Sequence, residues 1–222
     1  MPRARTTNLC TQTAAAPGDQ GGGCLFGFAI VPPLAVILIS AMLASFALKT
    51  TPLESPPAPS NISPIFTAEV QRWAGSITQW AAASQLDPNL AATVMQIESC
   101  GDPRALSSAG AMGLFQVMPF HFYGTDNPYN PDTNAARGLA YLARSLETAR
   151  GDARLALAGY NGGIGVISRA EWSAQTKRYV QYGWPIYQDA RSGASASNAV
   201  DEWYSKYGAS LCRQAHQRLG LP

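Results

Sequence analysis

The stretch Asp87-Pro88-Asn89-Leu90-Ala91-Ala92-Thr93-Val94-Met95-Gln96-Ile97-Glu98-Ser99-Cys100 decides how the rest of the chain is read. It opens with a carboxylate able to cap the first free N–H groups, followed by Pro at the first helical position. It stops before Gly101-Asp102-Pro103, a turn sequence in which Asp102 is read as structural. The only acid within the helix is Glu98, on its last turn, and one turn back stand Val94 and Met95. Its side chain therefore lies along an apolar stripe. Desolvation and the negative end of the helix dipole both disfavour the carboxylate, which predicts a raised pKa suited to a general acid near neutral pH. The plainer alternative is an acid at a frayed helix end that reaches water, as most acids do.

Outward from this helix, the periodicity stays helical. Thr67 is expected to cap a helix over 68–84, with Val70, Trp73, Ile77 and Trp80 three and four residues apart. The Gly-rich, apolar run 110–119 reads as loop or short strands. Asp132 or Thr133 is expected to cap a helix over 134–150, and Asp152 a short one over 153–160. Further helices are expected over 174–187 and, as one or two pieces, over 198–219. The fold class is mainly α.

The N-terminal quarter differs in kind. Charged residues make up 14% of the 222-residue chain, below the ~25% usual in soluble domains. Part of the deficit lies in 25–48, LFGFAIVPPLAVILISAMLASFAL, which carries no ionisable side chain. As helix it would reach ~36 Å, against ~30 Å of hydrocarbon core. This predicts a transmembrane anchor at 25–48 after a short tail at 1–24, the alternative being a signal peptide cleaved to give a secreted protein. Arg3 and Arg5 precede the span and Lys49 follows it, which favours an internal N-terminus and an exported C-terminal part. The Pro- and Ser-rich run 49–64 reads as an extended linker, and 65–222 as one domain with a C-terminal helical extension. The net charge of +2, 16 basic against 14 acidic residues, argues against a nucleic-acid partner.

Four motifs stand in order across the exported part: Glu98-Ser99, Gly113-Leu114-Phe115-Gln116-Val117-Met118-Pro119, Gly159-Tyr160-Asn161-Gly162-Gly163, and Thr176-Lys177-Arg178-Tyr179-Val180. Between the second and third lies Asp132-Thr133-Asn134, followed by Gly138, Tyr141 and Leu142. Over about Val70 to Tyr187 this pattern resembles the bacterial family 1 lytic transglycosylases. The resemblance implies a lysozyme-like helical fold related to goose-type lysozyme, acting on peptidoglycan glycan strands without a cofactor. It also implies cleavage of the β-1,4 bond between N-acetylmuramic acid and N-acetylglucosamine, with the muramic 6-hydroxyl closing on its own anomeric carbon. One glutamate then serves as acid and afterwards as base. No second Asp or Glu falls in a matching motif, whereas ordinary glycosidases need a pair.

Carried over residue by residue, Glu98 matches the catalytic acid/base and Ser99 the neighbour that holds the site. Gln116 matches a cleft residue that binds sugar, and Met118 one near the cleft floor. Tyr160 matches a hydroxyl supporting the acid, Asn161 a residue positioning substrate, and Tyr179 a tyrosine lying against the glutamate. Read without the resemblance, both tyrosines are equally core aromatics. The sequence departs from the family at Phe115, usually Met; at Gly159, usually Ala, where only helix propensity is expected to suffer; and at Gln175, usually Glu, which leaves the placement of Tyr179 open.

Cys100 and Cys212 both fall in the part placed outside, where disulfides persist, and are expected to bond. Cys10 and Cys24, on the internal side, are expected to be free. His121 and His216 are solitary and imply no metal site. Trp184 and Trp203 could stack on sugar rings, but helix-core packing is the use expected of them. Three rivals remain at this level: a hydrolytic muramidase on the same fold, a non-catalytic glycan-binding scaffold of an envelope complex, and a single-pass adaptor that binds proteins.

Overall fold

The computed structural model describes residues 62–222. The tail, the apolar span 25–48 and nearly all of the linker lie outside the described residues, as do Cys10 and Cys24. Among the described residues eight α-helices follow in order: α1 (Ala68–Gln71), α2 (Ala74–Ala83), α3 (Pro88–Glu98), α4 (Pro131–Thr148), α5 (Ala153–Gly162), α6 (Ala174–Arg191), α7 (Asn198–Trp203) and α8 (Ala209–Leu219). Single 3-10 turns sit at Pro119–His121 and Ile164–Val166, and a π-helical turn, Tyr204–Gly208, joins α7 to α8. Among the described residues no strand forms. The run 110–119 is a loop pinched by isolated bridges of Met112 with Leu106 and with Val117. No described helix is long and apolar enough to cross a membrane.

Helix α3 runs through the middle. Every residue from Pro88 to Gln96 is buried, because α2 and α6 pack against it and α6 in turn packs on α5. The close approach of α6 depends on Gly183, where a Cβ would stand 3.1 Å from Ile97 Cδ1. Asp87 caps α3 by accepting from the Asn89 N–H at 2.8 Å, and Asp152 caps α5 by accepting from Leu155 at 3.0 Å. Ile62 and Ser63 are already buried, and the Ser63 N–H donates to the Asn89 side chain at 2.8 Å.

Two expected caps are corrected. Thr67 makes no capping hydrogen bond, and the expected helix 68–84 breaks at Arg72 and Trp73. The buried amide of Gln96 claims Thr67 instead: the Thr67 N–H donates to Gln96 Oε1 at 3.1 Å, and its hydroxyl accepts from Gln96 Nε2 at 3.3 Å. The long helix α4 is capped by Asn130, not by Asp132 or Thr133, with Pro131 at its first position. Asn-Pro repeats the logic of Asp-Pro, and Asp132 is left to accept from the Trp80 indole at 2.9 Å. Helix α6 also outruns its expected end and continues through Pro185 to Arg191.

Candidate active site

Glu98 closes α3, and the next residues turn the chain sharply. Cys100 and Gly101 both take positive φ, 53° and 82°, so the helix cannot continue. The Ser99 hydroxyl, fully buried, donates to the Leu114 carbonyl at 2.7 Å and accepts from the Gly101 N–H at 3.1 Å. The second motif is thereby fastened to the end of α3.

The Glu98 side chain is half-buried and opens on a cavity of about 200 Å³ that it shares with Asn161, Arg178, Tyr179, Tyr207 and Leu211. Glu98 is the only carboxylate lining that cavity. Protein surrounds the group on every other side, and desolvation pushes its carboxyl from the ordinary 4.5 up to about 8. The Tyr179 hydroxyl works the other way. It is buried and makes no well-formed hydrogen bond, yet it stands close enough to Glu98 to pull that pKa part of the way down. Burial and the nearby Glu98 charge hold the Tyr179 and Tyr160 hydroxyls well above their ordinary value, so both remain protonated donors.

Of the residues expected at the site, Glu98, Asn161 and Tyr179 line one cavity. Ser99 lies behind it. Tyr160 sits within electrostatic reach of Glu98, but its hydroxyl donates to the Phe115 carbonyl at 2.7 Å, binding the third motif to the second. Gln116 turns inward on its own loop: at φ 46° its amide donates to the carbonyls of Gly113 at 3.0 Å and Ala105 at 3.2 Å. Met118 is half-buried at the head of the 119–121 turn, outside the Glu98 cavity.

The departures from the family pattern have structural counterparts. Phe115 is wholly buried, edge-on to Trp80 at 6.3 Å. A Cβ at Gly159 would stand 2.8 Å from Ile167 Cδ1, so packing, and not only propensity, separates Gly from Ala there. Gln175 lies exposed at the cavity rim. The start of α6 is held by Ser173, which caps the Thr176 N–H at 3.1 Å, and by Thr176, whose hydroxyl donates to Asn161 at 3.2 Å.

Several contributors escaped the sequence reading. Asn134, buried at the start of α4, accepts from the Phe115 N–H and donates to the carbonyls of Met112 and Pro128, which organises the whole loop. Its place inside Asp132-Thr133-Asn134 was the available signal. The far wall of the cavity, Trp203, Tyr207 and Leu211, comes from the C-terminal segment; nothing local in the sequence marks it. That segment is tied down beside Glu98 by a disulfide between Cys100 and Cys212, Cα atoms 5.0 Å apart. Flanking it are an ion pair of Arg218 with Asp102 and a hydrogen bond between His216 Nδ1 and the buried Glu69 at 3.0 Å. Glu69 lies beside both sulfurs, but sulfurs bonded to each other are not thiolate ligands, and the trio offers no metal site.

Residues 75–182 match the family described as Transglycosylase SLT domain. The chain is 42% identical over 110 residues to a transglycosylase of Enterobacteria phage PRD1, covering 49% of this chain and 40% of that one. It is 30% identical over 112 residues to membrane-bound lytic murein transglycosylase F 1 of Alkalilimnicola ehrlichii, 47% of this chain and 23% of that one. To membrane-bound lytic murein transglycosylase C of Actinobacillus pleuropneumoniae it is 27% identical over 143 residues, 59% and 39% of the two chains. The match thus spans less than half the length of each of these relatives. An X-ray structure of an inactive mutant of lytic transglycosylase Slt from Pseudomonas aeruginosa aligns with 66% of this chain and 24% of that one, at 22% identity and a TM-score of 0.39. Residues 75–182 thus match the Transglycosylase SLT domain family and are similar to proteins named as transglycosylases.

Proposed function

We propose that the chain cleaves peptidoglycan glycan strands as a lytic transglycosylase, with Glu98 acting first as acid and then as base. The observation that carries this reading is a carboxyl raised to about 8 by burial, alone among neutral and cationic groups in its cavity. At neutral pH it holds a proton it can give. Protonation of the glycosidic oxygen breaks the bond to the muramyl anomeric carbon and leaves Glu98 as a carboxylate. That carboxylate then takes the proton of the muramyl 6-hydroxyl while the hydroxyl oxygen bonds to the anomeric carbon. The acid is regenerated and no water is consumed. Tyr179 steadies the transient carboxylate with a neutral hydroxyl, and Asn161 positions sugar. Ser99, Gln116, Met118 and Tyr160 hold the loop and helix ends that frame the cleft.

The domain order argued from sequence belongs to the same proposal. An anchor at 25–48 and a linker at 49–64 would hold the catalytic part, 65–222, on the outer face of the cell membrane. The uncharged run itself supports this, as do the two relatives named as membrane-bound. Product masses after digestion of purified peptidoglycan test the chemistry. Anhydro ends that vanish with Glu98→Gln are expected. Reducing ends would establish the hydrolytic rival, and activity unchanged by Glu98→Gln would remove Glu98 from the reaction.

A further inference from the structure

A second concavity, of about 620 Å³, lies on another flank of α6. Its walls carry Arg154, Arg169, Lys177, Trp172 and Trp184, with Glu171 as the only acid. Lys177 pairs with Glu171 at 2.6 Å, whereas Arg154 and Arg169 are exposed and make no ion pair among the described residues. The groove thus holds a surplus of two positive charges, although residues 62–222 together carry 13 basic against 12 acidic side chains. The Trp172 indole is fixed by its N–H, which donates to the Val166 carbonyl at 3.1 Å, and the Arg154 guanidinium lies 5.6 Å from its ring centre. Trp184 is half-buried at the same groove, whereas Trp203 is core, only 2% exposed. Large rigid aromatic faces beside unpaired guanidinium groups suit a ligand with apolar ring faces and carboxylates.

Helix α6 separates this groove from the Glu98 cavity. Arg178, Tyr179 and Tyr182 line the cavity, while Lys177, Gln181 and Trp184, spaced by four and three, line the groove. The two lie about one helix diameter apart, ~10 Å. A ligand engaging both must pass round the helix, which takes a chain of several linked sugars. We propose that the Arg154–Arg169–Trp184 groove is a second binding site for the glycan strand, taking sugar rings together with the carboxylates that muramyl units carry, on the stem peptide or on a lactyl group freed of it, away from the bond that is cut. The ligand class rests on the transglycosylase reading; the groove and its charge do not. A nearly neutral domain disfavours a polyphosphate such as nucleic acid.

The test uses the full-length chain, with Arg154→Gln/Arg169→Gln as the charge variant, Trp184→Ala as the stacking variant and Trp184→Phe as its rescue. Co-sedimentation with purified sacculi and with peptide-free glycan strands reads binding without needing cleavage. Each of the first two variants is expected to weaken both by about tenfold, with Trp184→Phe recovering most of the loss. Where a stem peptide is attached, the lactyl carboxyl is taken up in its amide bond, so a charge effect on intact sacculi alone assigns the carboxylates to the stem peptides; an effect on the peptide-free strands as well shows that freed lactyl groups also serve. The KM for long strands is expected to rise in step, while kcat and cleavage of a two-disaccharide oligomer stay unchanged. Sacculus binding equal to that of the unaltered chain, an equal KM rise on the short oligomer, or an equal loss of binding to anionic phospholipid vesicles would each overturn the proposal. If the unaltered chain cleaves nothing yet its sacculus binding falls in both variants, the transglycosylase reading fails and the groove stands.

Discussion

The Ser99 hydroxyl donates to the Leu114 carbonyl at 2.7 Å, so the residue next to Glu98 is bonded to the loop carrying the second motif. Both partners are wholly buried. Ser99→Ala leaves that carbonyl and the Gly101 N–H without their partner, a cost of about 1–3 kcal/mol. Urea unfolding should show a lower midpoint at unchanged slope, and turnover should fall as the end of α3 loses its hold. An unaltered midpoint would mean that the loop is held from elsewhere.

The Glu98 carboxyl gives a prediction with a definite sign. Its folded pKa, about 8, lies above the ordinary 4.5. Between these values the native chain keeps a proton that the unfolded chain has released. Stability from this group is therefore full below pH 4.5 and is lost as pH rises toward 8. Glu98→Gln should flatten that slope in denaturation curves taken from pH 5 to 9. Cleavage should fall as pH rises through about 8, where the acid loses its proton. Tyr179→Phe removes the neighbour that lowers this pKa, so the alkaline limb should move upward while kcat drops. Because the buried Tyr179 hydroxyl has no well-formed hydrogen bond, stability should hold or improve. A limb that stays in place would show that this hydroxyl does not act on the carboxyl.

The disulfide between Cys100 and Cys212 closes a loop of 112 residues. Cys212→Ser should cost about 2–5 kcal/mol, read as a lower melting temperature that reductant lowers no further. The same change loosens Tyr207 and Leu211 beside Glu98. Water then reaches the carboxyl more easily, and the alkaline limb should fall below that of the intact protein. A stability loss with an unmoved limb would restrict the bridge to a structural part.

What the sequence disclosed and what it hid divide along physical lines. The Asp87-Pro88 start, the apolar neighbours of Glu98 and the Asp152 cap are local signals, and each has its counterpart in the structure. Thr67 misled because a hydroxyl before a helix caps it only when nothing stronger competes, and the buried Gln96 amide does. The Asn130-Pro131 start is masked in sequence by two equally plausible caps, Asp132 and Thr133, two and three residues after Asn130. Gly159 reads in sequence as a question of propensity, yet it is a contact, as is Gly138: a Cβ on Gly138 would stand 2.6 Å from the Phe115 Cβ and 3.1 Å from the Tyr160 hydroxyl. The cavity wall from Tyr207 and Leu211 lay furthest from view, since only tertiary packing brings residues a hundred positions apart around one carboxyl.

That wall has a practical corollary for anyone who would transplant this module. The stretch shared with the family ends at residue 182, whereas Trp203, Tyr207 and Leu211 come later in the chain and still face Glu98. A fragment trimmed to the shared boundaries would keep every motif and surrender the roof over its acid, along with half of its only described crosslink. Sequence kinship alone draws the border of this module too tightly, because the last helix completes the cavity around Glu98.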